Sequence, residues 1–268
     1  MPTCSRSVSL QAVCLAAALA FVPATTARAL LHSETPSGAN EWSAFEGGRA
    51  RLLAHRESDG AAAVLEVELE PGWKTYWRAP GPSGIAPVFD AENSSNATIT
   101  AVGYPAPESF SDVYGESVGY RDAVAFPLTI AIPDRDRPAK LALDATIGVC
   151  AELCVPVSLR FAAALDASVP EAGKRIEAAR LALPVSGEPL EATLANGALT
   201  VRGDAIGADG EAFVAPPEGT TLEAIRLDPG VLRTRLLRGD GRGEWRVVVR
   251  SGSGPFARVS EHELRIAP

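Results

Sequence analysis

The sequence predicts an all-β protein: a β-sandwich, then a linker helix, then a second, smaller β domain. Apolar and acidic residues alternate strictly over 65–70 (Leu-Glu-Val-Glu-Leu-Glu), as a strand with one buried face requires. Turn signals such as Pro71-Gly72 and Pro80-Gly81-Pro82 separate such runs. Many short strands with this punctuation are typical of a sandwich.

The first 29 residues have the pattern of a secretory signal. Arg6 precedes an apolar stretch from Val8 to Val22, and Ala27-Arg28-Ala29 forms a small-x-small cleavage site. We therefore expect a mature chain that begins near Leu30. The apolar stretch is short for a transmembrane helix, and an uncleaved anchor is the alternative interpretation. No later segment is expected to cross a membrane, so the mature chain is expected to have no membrane span.

Charge and cysteine usage narrow the class of protein. Removal of the signal takes away two arginines and no acid, which leaves 23 basic against 33 acidic residues and a net charge of −10. Such an acidic chain is not expected to bind nucleic acid. Cys4 and Cys14 leave with the signal, so Cys150 and Cys154 remain in an exported chain, where a disulfide can form. A periplasmic location fits if the source is Gram-negative.

The elements follow in order along the mature chain. A first domain is predicted at 30–167, a linker helix at 168–185 and a second β domain at 186–268. The helix is indicated by a capping box of Ser168 and Glu171, with Pro170 in its first turn. Strands are expected near 44–54, 65–70, 98–103, 123–132, 141–147, 155–161, 190–194, 198–201, 222–227 and 245–249.

The two remaining cysteines lie four positions apart, at the turn between the predicted strands 141–147 and 155–161. A ring this small restrains the unfolded chain by only about 2 kcal/mol, against nearly 5 for a loop of about 100 residues. The spacing therefore favours thiol–disulfide chemistry, with a structural disulfide and a metal site as alternatives. The three histidines are scattered, at 32, 55 and 262, so no metal is expected, and no bound cofactor either.

Four segments of the chain carry a resemblance to a known family. They lie in a fixed order between about residues 40 and 165, and their spacing makes the likeness specific. The chain resembles the N-terminal periplasmic domain of the thiol:disulfide interchange protein DsbD and its relatives in the copper-sensitivity suppressor ScsB. The matching segments are Gly72-Trp73-Lys74-Thr75-Tyr76-Trp77-Arg78, Asp112-Val113-Tyr114-Gly115-Glu116-Ser117, Tyr120 to Ile130, and Cys150 to Pro156.

The resemblance implies an immunoglobulin-like sandwich whose cysteine pair relays electrons, a component of a protein-disulfide reductase. The expected partners are a membrane-embedded thiol reductase and periplasmic thioredoxin-like proteins. It implies that Cys154 meets these partners and that Cys150 is its mate. Asp112, Val113 and Tyr114 are expected in a cap loop over the pair.

The chain departs from the family pattern in three respects. The best-known DsbD domains have five residues between the cysteines, whereas this chain has three, closer to the ScsB-like branch. Val113 stands where the family's cap aromatic is expected, and Ser111 stands at an acidic position. The sequence ends at Pro268 without a membrane domain, so the reductase is expected to act in trans. A non-catalytic interaction module with a structural disulfide and a copper-tolerance accessory protein are the alternatives.

Overall fold

The computed structural model describes Met1 and residues 37–38, 40–112, 115–207, 210–252 and 257–267. Apart from Met1, the predicted signal segment lies outside these residues. No helix in the described part is long and apolar enough to cross a membrane. The strands are β1 Ser37–Gly38, β2 Ser43–Phe45, β3 Gly48–Glu57, β4 Gly60–Leu69, β5 Lys74–Tyr76, β6 Val88–Asp90, β7 Thr98–Val102, β8 Glu108–Asp112, β9 Gly115–Arg121, β10 Ala123–Ala131, β11 Lys140–Cys150, β12 Cys154–Ala164, β13 Val185–Ser186, β14 Leu190–Ala195, β15 Ala198–Arg202, β16 Glu211–Ala215, β17 Thr221–Leu222, β18 Arg226–Asp228, β19 Val231–Arg238, β20 Arg246–Ser251 and β21 Arg258–Ala267; the helix α1 is Pro170–Leu181.

The N-terminal part is an immunoglobulin-like β-sandwich, as predicted. One sheet has the order β1-β12-β11-β5-β9-β8, with β6 paired to β11, and the other has the order β2-β3-β4-β10-β7. Alternate residues of β11 point inward, because successive side chains of a strand leave opposite faces. They share one core with β4 and β10 of the other sheet; its members include Leu65, Phe126, Leu141, Leu143, Ile147 and Val149, each at most 1 % exposed.

The helix α1 packs on the outer face of the second sheet. Ile176 and Ala179 bury against Leu53 and Val64, which β3 and β4 turn away from the sandwich core. The helix therefore covers a face that the alternation of β4 predicts to be solvated, and Glu66 on that face is only 7 % exposed.

Two arginines pair with the carboxylate of Glu66. Arg51 lies 2.7 Å from one of its oxygens and Arg175 of the helix lies 2.6 Å from the other. These contacts compensate the buried charge, which would otherwise be costly to remove from water.

The start of α1 differs from the prediction. The N-cap is Val169, with no side-chain hydrogen bond, and Pro170 occupies the first turn. The predicted capping box is therefore wrong: the Ser168 hydroxyl lies 3.4 Å from Nε2 of His55 instead. His55 also accepts a hydrogen bond from the backbone N–H of Val169 at its Nδ1, 2.9 Å away, so a tertiary contact takes the place of the local cap.

The C-terminal part forms a further sheet in the order β16-β20-β21-β14-β15-β19-β17, with β13 on β21 and β18 on β19. Its strands enclose a core that includes Leu199, Val201 and Trp245. The predicted strand 222–227 is instead two short strands, β17 and β18, both paired with β19, with a register shift between Thr221 and Leu222.

The C-terminal sheet packs directly on the sandwich. Phe213 of β16 meets the ring of Trp77 edge-on, with 6.2 Å between ring centroids, and Arg250 donates to the carbonyl of Pro107 at 2.9 Å. The described residues from Ser37 onward belong to one compact unit. The boundaries at 167/168 and 185/186 stay predictions.

Candidate functional site: a disulfide at the end of a β-hairpin

The hairpin of β11 and β12 positions the two cysteines. The strands pair in antiparallel register from Lys140 with Ala164 up to Cys150 with Cys154, and residues 151–153 connect them. The two cysteines form a disulfide, with 4.1 Å between their Cα atoms. Because Val149 points into the core, Cys150 and its cross-strand partner lie on the opposite, outer face of the sheet.

The two sulfur-bearing residues differ in exposure. Cys150 is only 1 % exposed, whereas Cys154 is half-buried. The connection beside Cys154 is open: Leu153 is 71 % exposed and its two preceding neighbours are exposed as well. A thiolate arriving from solution therefore reaches Cys154 more readily than Cys150.

A buried tyrosine contacts the more exposed cysteine. The hydroxyl oxygen of Tyr76 lies 3.0 Å from Sγ of Cys154, and the Tyr76 residue is fully buried. The sulfur of a disulfide carries no proton, so the hydroxyl is the donor. Burial, and next the negative charge of Asp112, raise the pKa of the Tyr76 hydroxyl, which keeps the phenol protonated.

Two glycines make room for the Tyr76 ring. A Cβ at Gly148, two residues before Cys150, would lie 2.8 Å from one ring carbon and 2.6 Å from Cβ of Ile85. A Cβ at Gly84 would lie 2.8 Å from another ring carbon. The ring is therefore held between β11 and the loop that contains Gly84 and Ile85, and its hydroxyl is fixed toward Cys154.

Lys74 lies on β5, which borders β11 on the side opposite β12. Its ammonium lies 2.6 Å from a carboxylate oxygen of Asp112 and donates to the Ser117 hydroxyl at 3.1 Å. It also lies 5.2 Å from the ring centroid of Phe110, a distance at which a cation is attracted to an aromatic face. These contacts connect β5 with β8 and β9, next to the cysteine hairpin.

The structure brings together three of the five predicted site residues. Cys150 and Cys154 are bonded, and Asp112 lies at the end of β8, linked to the site through Lys74. Val113 and Tyr114 lie outside the described residues, so the cap loop stays a prediction.

Two further site residues, Lys74 and Tyr76, were not predicted. Both lie in the Gly72–Arg78 segment that carries the family resemblance, and this resemblance is the sequence signal that could have identified them.

Metal-binding side chains are dispersed over the described residues, where no three of His, Cys, Asp or Glu gather around one point. His262, for example, is buried and bonds the Ser260 hydroxyl at 2.7 Å and the Glu188 carbonyl at 2.8 Å. These bonds occupy both of its ring nitrogens.

Fold and site together define a class of protein: an immunoglobulin-like domain with a disulfide at the turn end of a β-hairpin. Comparison with family models gives the same class. Residues 46–166 match the family described as thiol:disulfide interchange protein DsbD, N-terminal. No curated protein matches the chain.

Solved structures extend the similarity beyond the family segment. The N-terminal periplasmic domain of ScsB from Proteus mirabilis is 22 % identical and aligns with a TM-score of 0.62 over 83 % of this chain and 96 % of that one. At this identity the match shows the fold, and it includes part of the C-terminal sheet. InvD from Yersinia pseudotuberculosis is 14 % identical over 81 % of this chain and 58 % of that one, with a TM-score of only 0.19.

Proposed function

We propose that this chain is a periplasmic thiol–disulfide exchange module that relays electrons through Cys150 and Cys154. The observation that carries the proposal is the position of the disulfide: it closes the end of a hairpin, with one half-buried sulfur that receives a hydrogen bond from Tyr76. The match of residues 46–166 to a thiol:disulfide interchange family supports the same chemistry.

The exchange proceeds in two thiolate attacks. In the reduced module, the Cys154 thiolate attacks one sulfur of a partner disulfide, and the other partner sulfur leaves as a thiolate. The Cys150 thiolate then attacks Sγ of Cys154, which closes the internal disulfide and releases the second partner sulfur. Two electrons pass to the partner, whose disulfide becomes a dithiol. Reduction of the module by an upstream dithiol follows the same steps in reverse.

Tyr76 favours Cys154 as the attacking sulfur. A buried phenol that stays protonated donates to a thiolate at the same position where it now donates to the disulfide sulfur. Hydrogen bonding to the charged form of a group favours that form. The contact thus stabilises the reactive species at the cysteine that solvent reaches more easily.

The partners follow from the family. The donor is proposed to be a membrane-embedded thiol reductase acting in trans, and the acceptors are thioredoxin-like proteins. Thioredoxin-like partners present a reactive disulfide or dithiol at their surface, and the exposed connection 151–153 leaves space beside Cys154 for such a surface.

Trapping of mixed disulfides tests the proposal. In Cys150→Ser, Cys154 has no resolving cysteine in its own chain, so a stable adduct is expected on non-reducing gels with a thioredoxin-like protein that keeps one active-site cysteine, activated as its thionitrobenzoate mixed disulfide; attack by Cys154 then releases thionitrobenzoate. Cys154→Ser is the matched control, because it keeps one thiol but leaves the buried one, and it should trap far less. No adduct with Cys150→Ser, or equal adduct with both variants, would contradict the relay.

A further inference from the structure

Lys74 is an unusual residue to find beside a disulfide, because its side chain is only 12 % exposed. Lysine is almost never this buried unless it is paired. Here the ammonium contacts Asp112 and Ser117 and lies 5.9 Å from the centroid of the Tyr76 ring, whose hydroxyl bonds Cys154. A positive and a negative charge thus lie close to the sulfurs, in surroundings that water reaches only partly.

Strand register places Lys74 next to Cys150. The two residues are Cα partners across β5 and β11, so their side chains leave the same outer face of the sheet. Directly opposed residues have Cβ atoms about 4.5–5.5 Å apart. Cys154 pairs with Cys150 from the other side, so the cation and the disulfide occupy adjacent positions of one row across the sheet.

We propose that Lys74 and Asp112 tune the reduction potential of the Cys150–Cys154 pair in opposite directions, Lys74 raising it and Asp112 lowering it. This inference rests on the proposed function in that it names residues that regulate the same site. Lys74 and Asp112 are positioning residues in this scheme, since neither exchanges electrons.

The physical basis is the charge that appears on reduction. The disulfide is neutral. Reduction transfers two electrons from a reducing dithiol, which becomes a disulfide. Each cysteine sulfur of the reduced pair then carries either a proton or, as a thiolate, a negative charge. A neighbouring ammonium stabilises that thiolate and therefore the reduced form, whereas a carboxylate destabilises it. In the wild-type chain the charges of Lys74 and Asp112 partly cancel at the disulfide, so removal of one charge increases the effect of the other.

The neighbouring ion pair of Arg121 and Glu108 is too exposed to dominate the electrostatic potential at the disulfide. Arg121 is the Cα partner of Lys74 on β9, but its side chain is 55 % exposed and pairs with Glu108 at 3.2 Å. Glu152 in the hairpin connection is exposed as well. Solvent screens such charges more strongly than partly buried ones.

The test measures the equilibrium between the oxidised and reduced forms of the full chain in dithiothreitol or glutathione buffers at about pH 8.5, where a free thiol is half ionised. Lys74→Met should favour the disulfide and Asp112→Asn should favour the dithiol. A unit charge at a cross-strand distance in partly solvated surroundings predicts a change of about fivefold in each equilibrium constant. For this two-electron couple, fivefold corresponds to about 20 mV.

The sign of the two shifts separates tuning from a structural role. If the ion pair only held β5 and β8 together, both variants would break the same contact and shift the equilibrium in the same direction. Lys74→Arg keeps the positive charge, so its equilibrium constant should equal that of the wild-type chain. Shifts of equal sign, or a Lys74→Arg value that matches Lys74→Met, would overturn the inference.

A matched charge pair on the same hairpin controls for net charge. Arg160 and Asp144 face each other across β12 and β11 at 3.4 Å, several residues away from the cysteines. Arg160→Met and Asp144→Asn change the net charge as the test variants do, and they should leave the equilibrium within about twofold of wild type. Because small-molecule thiols equilibrate the pair without a protein partner, this measurement gives a result even if the trapping experiment fails.

Discussion

Reduction of the disulfide should leave the sandwich folded. The bond closes a ring of only five residues, from Cys150 to Cys154, for which the chain-entropy relation gives about 2 kcal/mol of stabilisation. The β11–β12 ladder continues through ten further residue pairs that do not depend on the bond, down to Lys140 with Ala164. For a chain of this size, about 2 kcal/mol corresponds to a loss of about 4–8 °C in Tm.

Urea unfolding and thermal melting, followed by circular dichroism, measure this loss. The oxidised chain, the chain in a strong reductant, and the Cys150→Ser/Cys154→Ser variant are compared. The variant should resemble the reduced chain and should not respond to reductant. Loss of native structure on reduction, or a decrease above about 5 kcal/mol, the upper end of the range for native disulfides, would refute the reasoning and favour a structural staple.

Two more predictions concern the tyrosines. Tyr76→Phe keeps the buried ring but removes the donor to the Cys154 sulfur, so alkylation of the reduced protein by iodoacetamide should slow by about tenfold, while Tyr120→Phe should not change it. An unchanged rate in Tyr76→Phe would show that the hydroxyl does not act on the thiolate. Burial raises the pKa of the Tyr76 and Tyr120 hydroxyls, so their contribution to stability is complete below about pH 10 and decreases as the pH rises above it. Urea unfolding between pH 8 and 11 measures this, and a constant free energy of unfolding would contradict it.

The period-2 pattern predicted much of the fold, because one face of each strand must be apolar wherever a sheet covers a core. It located β11 and β12, and therefore the turn that holds the cysteines. It did not predict the burial of Glu66, since the alternation of one strand does not indicate that a helix more than 100 residues later covers its outer face.

The candidate site was predicted only in part. Cys150 and Cys154 are close in sequence, so their spacing alone brought them together. Lys74 and Tyr76 reach them through the pairing of β5 with β11, a contact between residues more than 70 positions apart. The pattern of neighbouring residues does not indicate such a long-range contact. The sequence around Tyr76 is equally compatible with an aromatic residue of the core.

The equilibrium reduction potential of the Cys150–Cys154 pair tests the exchange function most directly. Structural disulfides in exported proteins have potentials below about −300 mV, whereas bonds that exchange with partners have higher values. A value above about −300 mV, together with reduction by a thioredoxin-like protein, is expected for a relay. A value well below that limit would mean that the pair is an inert bond and would contradict the proposed function.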